Sequence, residues 1–146
     1  MQKINFQDYP NTTTPVNATN LNAIQSNAET SINEVDTKIT TATTIEDFTS
    51  KVTFNESVAN NTKFIKMGKV VYVLFQGEGK THSNNTTLCT IPSGYRPSNQ
   101  TYAVFSKNAS AYGVIGLNTY GTMSVNLISS TTTSGRIYAN FWYLTN

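Results

Sequence analysis

The hydrophobic positions change their period once along the chain, and the change divides it in two. Between residues 15 and 44 the repeat is four-then-three: Ala18, Leu21, Gln25, Ala28, Ile32, Val35, Ile39 and Ala42. Placing Ala18, Gln25, Ile32 and Ile39 at heptad position a, and the others at d, puts them all on one helical face. Thr14 before Pro15 is a helix start, with a hydroxyl cap followed by a residue whose missing N–H costs nothing there. The run Thr40-Thr41-Ala42-Thr43-Thr44 weakens the helix, because β-branched side chains lose rotamer freedom in it. A helix of about 25 residues with so thin a stripe is marginal alone in water. The pattern therefore predicts a self-associating coil whose seam is Leu21, Ala28, Ile32, Val35 and Ile39. β-Branched residues at both a and d lean it towards three strands. The competing expectation is that this stripe packs on the rest of the same chain.

After Val52 the period shortens to two. Strands are predicted at 52–58, 62–67, 69–77, 86–91, 101–107, 111–117, 122–128 and 136–144. Turn signals separate them, among them Met67-Gly68, Pro92-Ser93-Gly94, Asn118-Thr119-Tyr120-Gly121 and Ser134-Gly135. Short strands at this spacing predict an antiparallel β-sandwich or barrel. Val70–Phe75 and Ile137–Leu144 are apolar at nearly every position, which predicts cover on both faces, the second cover coming from another subunit. Residues 1–14, with Ile4, Phe6 and Tyr9 as their larger apolar groups, read as an extended arm. The expected organisation is arm 1–14, coiled-coil stalk 15–44, then neck and head 45–146. The fold class is mainly β with an N-terminal α-helical coiled coil.

Composition narrows the chemistry. Only 12% of the 146 residues are charged, and solubility rests on 24 Thr, 18 Asn and 13 Ser. Low charge with many aromatics argues for β structure over disorder. A net charge of +2 without a basic stripe gives no nucleic-acid footprint. Cys89 and His82 are each the sole residue of their type, so neither a disulfide, a metal site nor any cofactor is expected. No apolar run has the length of a signal peptide or a membrane span, so the expectation is synthesis in the cytoplasm and no membrane partner. The last acidic residue is Glu78, and the Asp residues are Asp8, Asp36 and Asp47. Glycoside hydrolysis needs two carboxylates flanking one bond. The head offers only Glu56 and Glu78 besides its neck, so binding is expected rather than catalysis.

Sugars present C–H faces that stack on aromatic rings, and hydroxyls that amides and guanidinium groups bind; wall polymers bearing phosphate add a reason for Arg and Lys. The candidates are His82, Arg96, Lys107, Tyr112, Asn118, Tyr120, Arg136 and Trp142. Each has a plainer reading. His82, Lys107 and Asn118 suit solvated loops, Arg96 a turn, and Arg136 a strand end. Tyr112 and Tyr120 suit strand edges or turns, and Trp142 suits core or subunit interface.

The stretch INFQDYPNTTTPVNATNLNAIQ resembles the N-terminal region of tail and baseplate proteins of phages that infect Gram-positive bacteria. KMGKVVYVLFQGEG, IPSGYRPS and AYGVIGLNTYGTMSVN are similar to the heads of phage receptor-binding proteins, notably the small lactococcal type. The resemblance implies a homotrimeric virion fibre with a β head that adsorbs to host cell-wall saccharide or teichoic acid. The arm, with Ile4, Phe6 and Tyr9, would anchor it to tail, baseplate or major capsid protein. The alternative is a capsid head fibre or decoration protein with a structural or weak adhesive role.

Overall fold

The computed structural model describes residues 18–78, 81–107, 111–129 and 135–146; the expected arm lies outside them, as do Thr14 and Pro15. Ala18–Thr43 form one helix, α1, which ends inside the Thr-rich run as its sequence predicts. The threonine hydroxyls bond back one turn, Thr37 to Asn33 O at 2.8 Å and Thr41 to Thr37 O at 2.9 Å, a contact that competes with helix geometry. No residue of α1 is buried. Its stripe at Ile32, Val35 and Ile39 is bare within one chain.

Thr44–Asn146 make a second compact unit, described by itself. Its strands are β1 (Ile45–Asp47), β2 (Thr53–Phe54), β3 (Lys63–Met67), β4 (Val70–Gly77), β5 (Thr87–Thr90), β6 (Thr101–Lys107), β7 (Ala111–Leu117), β8 (Thr122–Ile128) and β9 (Ile137–Leu144). They form one antiparallel sheet in the order β1-β3-β4-β9-β6-β7-β8-β5-β2. Laid flat, nine strands at ~4.8 Å spacing would put the edges about 38 Å apart. Yet β1 and β2 are joined by residues 48–52 alone, which span at most ~20 Å fully extended. A 3-10 turn at Thr49–Lys51 shortens them further. The sheet must therefore curl, and it forms a half-barrel around one core.

That core takes every second side chain of each long strand. Phe48, Phe64, Phe75, Phe105, Ile115, Leu117 and Ile137 are essentially fully buried, and Phe48 meets Phe64 edge-on at 5.9 Å. Cys89 is buried among them as expected, and burial pushes its thiol pKa up. The strand boundaries follow the alternating pattern within two residues, except at the start of the unit. The expected neck at 45–52 is part of the sheet: Ile45, Glu46 and Asp47 pair with Met67, Lys66 and Ile65. Three residues, two of them acidic, carry too little alternation to mark a strand, and hydrogen bonds hold them instead. Asp47 accepts from the Thr49 amide at 3.0 Å, the Thr49 hydroxyl at 2.6 Å and Lys63 Nζ at 2.8 Å. The expected strand 52–58 shrinks to the two residues of β2.

The pairing gives the barrel two ends. The chain enters at the end that holds Ile45, the β3–β4 hairpin and Leu144. The connection 55–62 and the strand ends Gly77, Lys107, Ala111, Ile128 and Ile137 lie at the opposite, far end.

Candidate functional site

The eight binding candidates fall into three groups that do not meet. Three stand at the far end, and two of these are inside it. Gly77 and Lys107 both pair with Ile137, and Lys107 with Ala111, so one row of inward positions crosses β4, β9, β6 and β7 at the barrel mouth. Glu56 reaches over Gly77 from the 55–62 connection, so closely that a Cβ added at Gly77 would collide with its carboxylate. The other Glu56 oxygen, Oε2, lies 2.8 Å from His82 Nε2. His82 and Lys107 are 0% exposed. Neither is the solvated loop residue that the sequence suggests; the His82 contact with Glu56 ties residues 81–86 to the core. Burial lowers the Lys107 ammonium pKa, and the Glu56 charge opposes that shift. Among the described residues, Glu56 Oε1, His82 Nδ1 and Lys107 Nζ have no hydrogen-bond partner. The arrangement is a buried polar plug of one acid, one imidazole and one ammonium. Arg136, the third candidate here, is exposed at the start of β9 with its guanidinium 3.6 Å from Glu78 Oε1.

Arg96, Asn118 and Tyr120 form the second group, at the entry end. A cavity of about 220 Å3 there is lined by Ser93, Gly94, Arg96, Ser98, Thr119 and Thr145 among others. Arg96 is half-buried and donates from Nε to Ile91 O at 3.3 Å. The Asn118 carboxamide oxygen accepts from the amides of Tyr120 and Thr122, both at 3.0 Å, so it builds the turn rather than facing out. Gly121 completes that turn at φ +89°, where a Cβ would strike Ile91 O. Tyr120 projects from it, exposed. Beside the cavity, the Tyr95 hydroxyl donates to Glu46 Oε1 at 2.6 Å, and the ammonium groups of Lys51 and Lys66 each sit 5.2 Å from its ring centre. These contacts fasten β1 to the 91–100 connection.

The third group lies on the outer face of the sheet. β9 alternates strictly, burying Ile137, Ala139, Phe141 and Tyr143 and exposing Tyr138, Asn140, Trp142 and Leu144. Within one chain the apolar residues alternate with each other and only the inner set is packed; the second cover, expected from another subunit, is not part of a single chain. Trp142, 67% exposed, pairs across the strands with Tyr72, and Leu144 pairs with Val70. Val70 continues to Met67, and Met67 to Ile45. On the other flank Tyr102, Val104 and Tyr112 are exposed on β6 and β7. Sequence reasoning singled out Trp142 and Tyr112 but missed Tyr72, Tyr102 and Tyr138. Their signal was their parity with Trp142 and with Val104 along their strands. Glu56 gave no such signal.

Among the described residues, no group of three or more His, Cys, Asp or Glu side chains gathers to hold a metal ion. No helix among them is long and apolar enough to cross a membrane.

No protein-family model and no curated protein matches the chain. Among solved structures it is similar to the receptor binding protein (gp15) of Listeria phage PSA, with a TM-score of 0.53 at 16% identity, covering 84% of this chain and 78% of that one. The likeness is one of fold, which in this chain is a mainly β unit with a curled antiparallel sheet, preceded by one helix.

Proposed function

We propose that the chain is the subunit of a phage adsorption fibre, whose helices associate as a parallel three-stranded coil and whose β heads bind saccharide on a bacterial surface without cleaving it. The observation that carries this reading is the fold it has in common with a phage receptor binding protein across 84% of its length. The bare helix stripe supports the coil, since a helix that buries nothing is marginal on its own. The far end supports adsorption. It is the end without a covalent continuation into the helix, and it carries exposed Arg136 with the neutral donors and acceptors of Ser83, Asn84 and Asn85. Arg136 is the group suited to a phosphate or carboxylate on a wall polymer. His82 and Lys107 act behind this surface, fixing the connections that form it. The arm with Ile4, Phe6 and Tyr9 is the natural virion anchor, and the fibre is accordingly a virion component.

Purified full-length protein should bind walls of its host species, and binding should fall at least tenfold when teichoic acid and polysaccharide are extracted, with no sugar released in either case. Arg136→Ala should weaken it further than Arg96→Ala. Equal binding to stripped walls would overturn the saccharide reading. Particles labelled over the capsid shell rather than the tail would replace tail adsorption by a head-fibre role.

A further inference from the structure

The outer face of the head sheet changes character beyond β6. Strands β5, β6, β7 and β8 carry one charged residue, Lys107, and its side chain is buried. On β8 and β5 the outward positions are hydroxyls and an amide, among them Ser124, Asn126 and Thr87. The register sets two of the hydroxyls in a row with an aromatic ring: Tyr102 pairs with Gly116, Gly116 with Ser124, and Ser124 with Thr87. Paired residues share a face, so the row crosses four strands, a span of about 14 Å. Gly116 brings no side chain to the row, and its neighbours fill the place. A Cβ built there would meet Tyr102 Cε1 at 3.5 Å and Asn126 Cβ at 3.7 Å. Tyr102 therefore leans across β7 onto the glycine with Asn126 beside it, and Gly116 is buried beneath them. The Gln100 amide donates to the Tyr102 hydroxyl at 2.8 Å and holds the outer end of the ring. Even so, Tyr102 stays 56% exposed.

We infer that Tyr102, Asn126 and Ser124 form a subsite for an uncharged sugar residue on the flank of the head sheet. This subsite rests on the saccharide reading above, and gives it a second place and a sugar class apart from Arg136. Three observations choose the ligand. First, a ring held at its edge and at its hydroxyl is ordered before anything binds, so a sugar's C–H side can stack on it at little further entropic cost. Second, the Asn126 carboxamide stands beside that ring, with the Ser124 hydroxyl next along the row. A carboxamide both donates and accepts, which suits neighbouring sugar hydroxyls. An apolar partner would instead leave Asn126, Ser124 and Thr87 desolvated without hydrogen bonds. Third, these four strands turn no charged group outward, so a phosphate or carboxylate has nothing here to pair with. The ligand is accordingly neutral, whereas Arg136 suits the anionic groups of a wall polymer.

Binding of the full-length protein to walls of its host species, measured by co-sedimentation, tests the subsite. Tyr102→Ala removes the ring, and Asn126→Ala removes the amide at an exposed position whose change opens no core. Each should raise the Kd for walls about fivefold. The factor should be the same at low and at high salt, because no ion pair is lost. Neutral polysaccharide released from those walls and freed of phosphate should compete with wild-type binding. A loss in Tyr102→Ala with none in Asn126→Ala would make the ring a cover for Gly116 and overturn the subsite. Wild-type binding by both variants would also overturn it and leave adsorption through the far end standing. Losses that vanish at high salt would overturn the neutral ligand. A wild type that binds no wall would overturn the saccharide reading and the subsite together.

Discussion

The helix and the head solve the same problem with opposite means. Twenty-six residues of α1 bury no side chain, whereas the head of about a hundred residues closes a nine-stranded sheet on a phenylalanine-rich centre. The helix has one apolar stripe and no second layer; the head makes its second layer by curling the sheet onto itself. A segment that cannot bury its stripe alone reads as an assembly element, and a segment that can reads as a platform.

The largest contrast should appear in unfolding. Phe64→Ala removes a fully buried ring that meets both Phe48 and Phe54, and should cost the head about 3–5 kcal/mol, read as a lower urea midpoint. Ile32→Asp with Ile39→Asp should do the reverse. Both positions are exposed in one chain, so the near-UV circular dichroism of the head should not change. The light-scattering mass at low micromolar concentration should fall, because carboxylates in the proposed coil seam would pay desolvation without partners. A head as damaged by the helix changes as by Phe64→Ala would erase the division between the two units.

That division was legible because period reports burial. The switch from a four-three repeat to alternation placed the helix end in the Thr run and seven of the nine strands within two residues. What alternation could not report is where a small polar strand is held by hydrogen bonds, so β1 was read as neck. Nor could it distinguish an apolar face packed by the chain itself from one left bare, so Val70, Tyr72, Trp142 and Leu144 looked as buried as Val71 and Tyr143. The candidate residues fared by kind. Tyr120 and Arg136 are at the surface, as loop chemistry suggests. His82 and Lys107 lie inside, and Glu56, which bonds the one and carries the opposite charge near the other, is 26 and 51 positions away in sequence, so only the curled sheet brings the three together.

The plug they form should behave unlike the apolar core. Glu56→Ala leaves the His82 imidazole without its 2.8 Å partner and Lys107 without a nearby opposite charge, and should cost about 1–3 kcal/mol. Lys107→Met should be neutral or slightly stabilising, since it replaces a buried ammonium that has no hydrogen-bond partner among the described residues by an apolar chain of similar length. Thermal midpoints of the two variants side by side test this. A large loss from Lys107→Met would show the ammonium to be a required partner of the plug.

The smallest expected effect lies at the junction strand, where the head resembles the helix in relying on little burial. Hydrogen bonds from Lys63 and from Thr49, with the Lys63 charge, hold the Asp47 carboxyl at about 2, below its ordinary 3.8. A carboxyl with a depressed folded-state pKa adds stability that is present above the ordinary value and is lost as pH falls through the folded one. The window is therefore from about pH 4 down to about pH 2. Asp47 and Lys63 are both nearly half exposed, and solvent screening limits such a pair to a few tenths of a kcal/mol. Asp47→Asn should consequently sit slightly below wild type at pH 6, and the two unfolding midpoints should converge near pH 2. A gap that stays constant across that range would mean that β1 is held by its backbone pairing to β3 and not by the carboxylate.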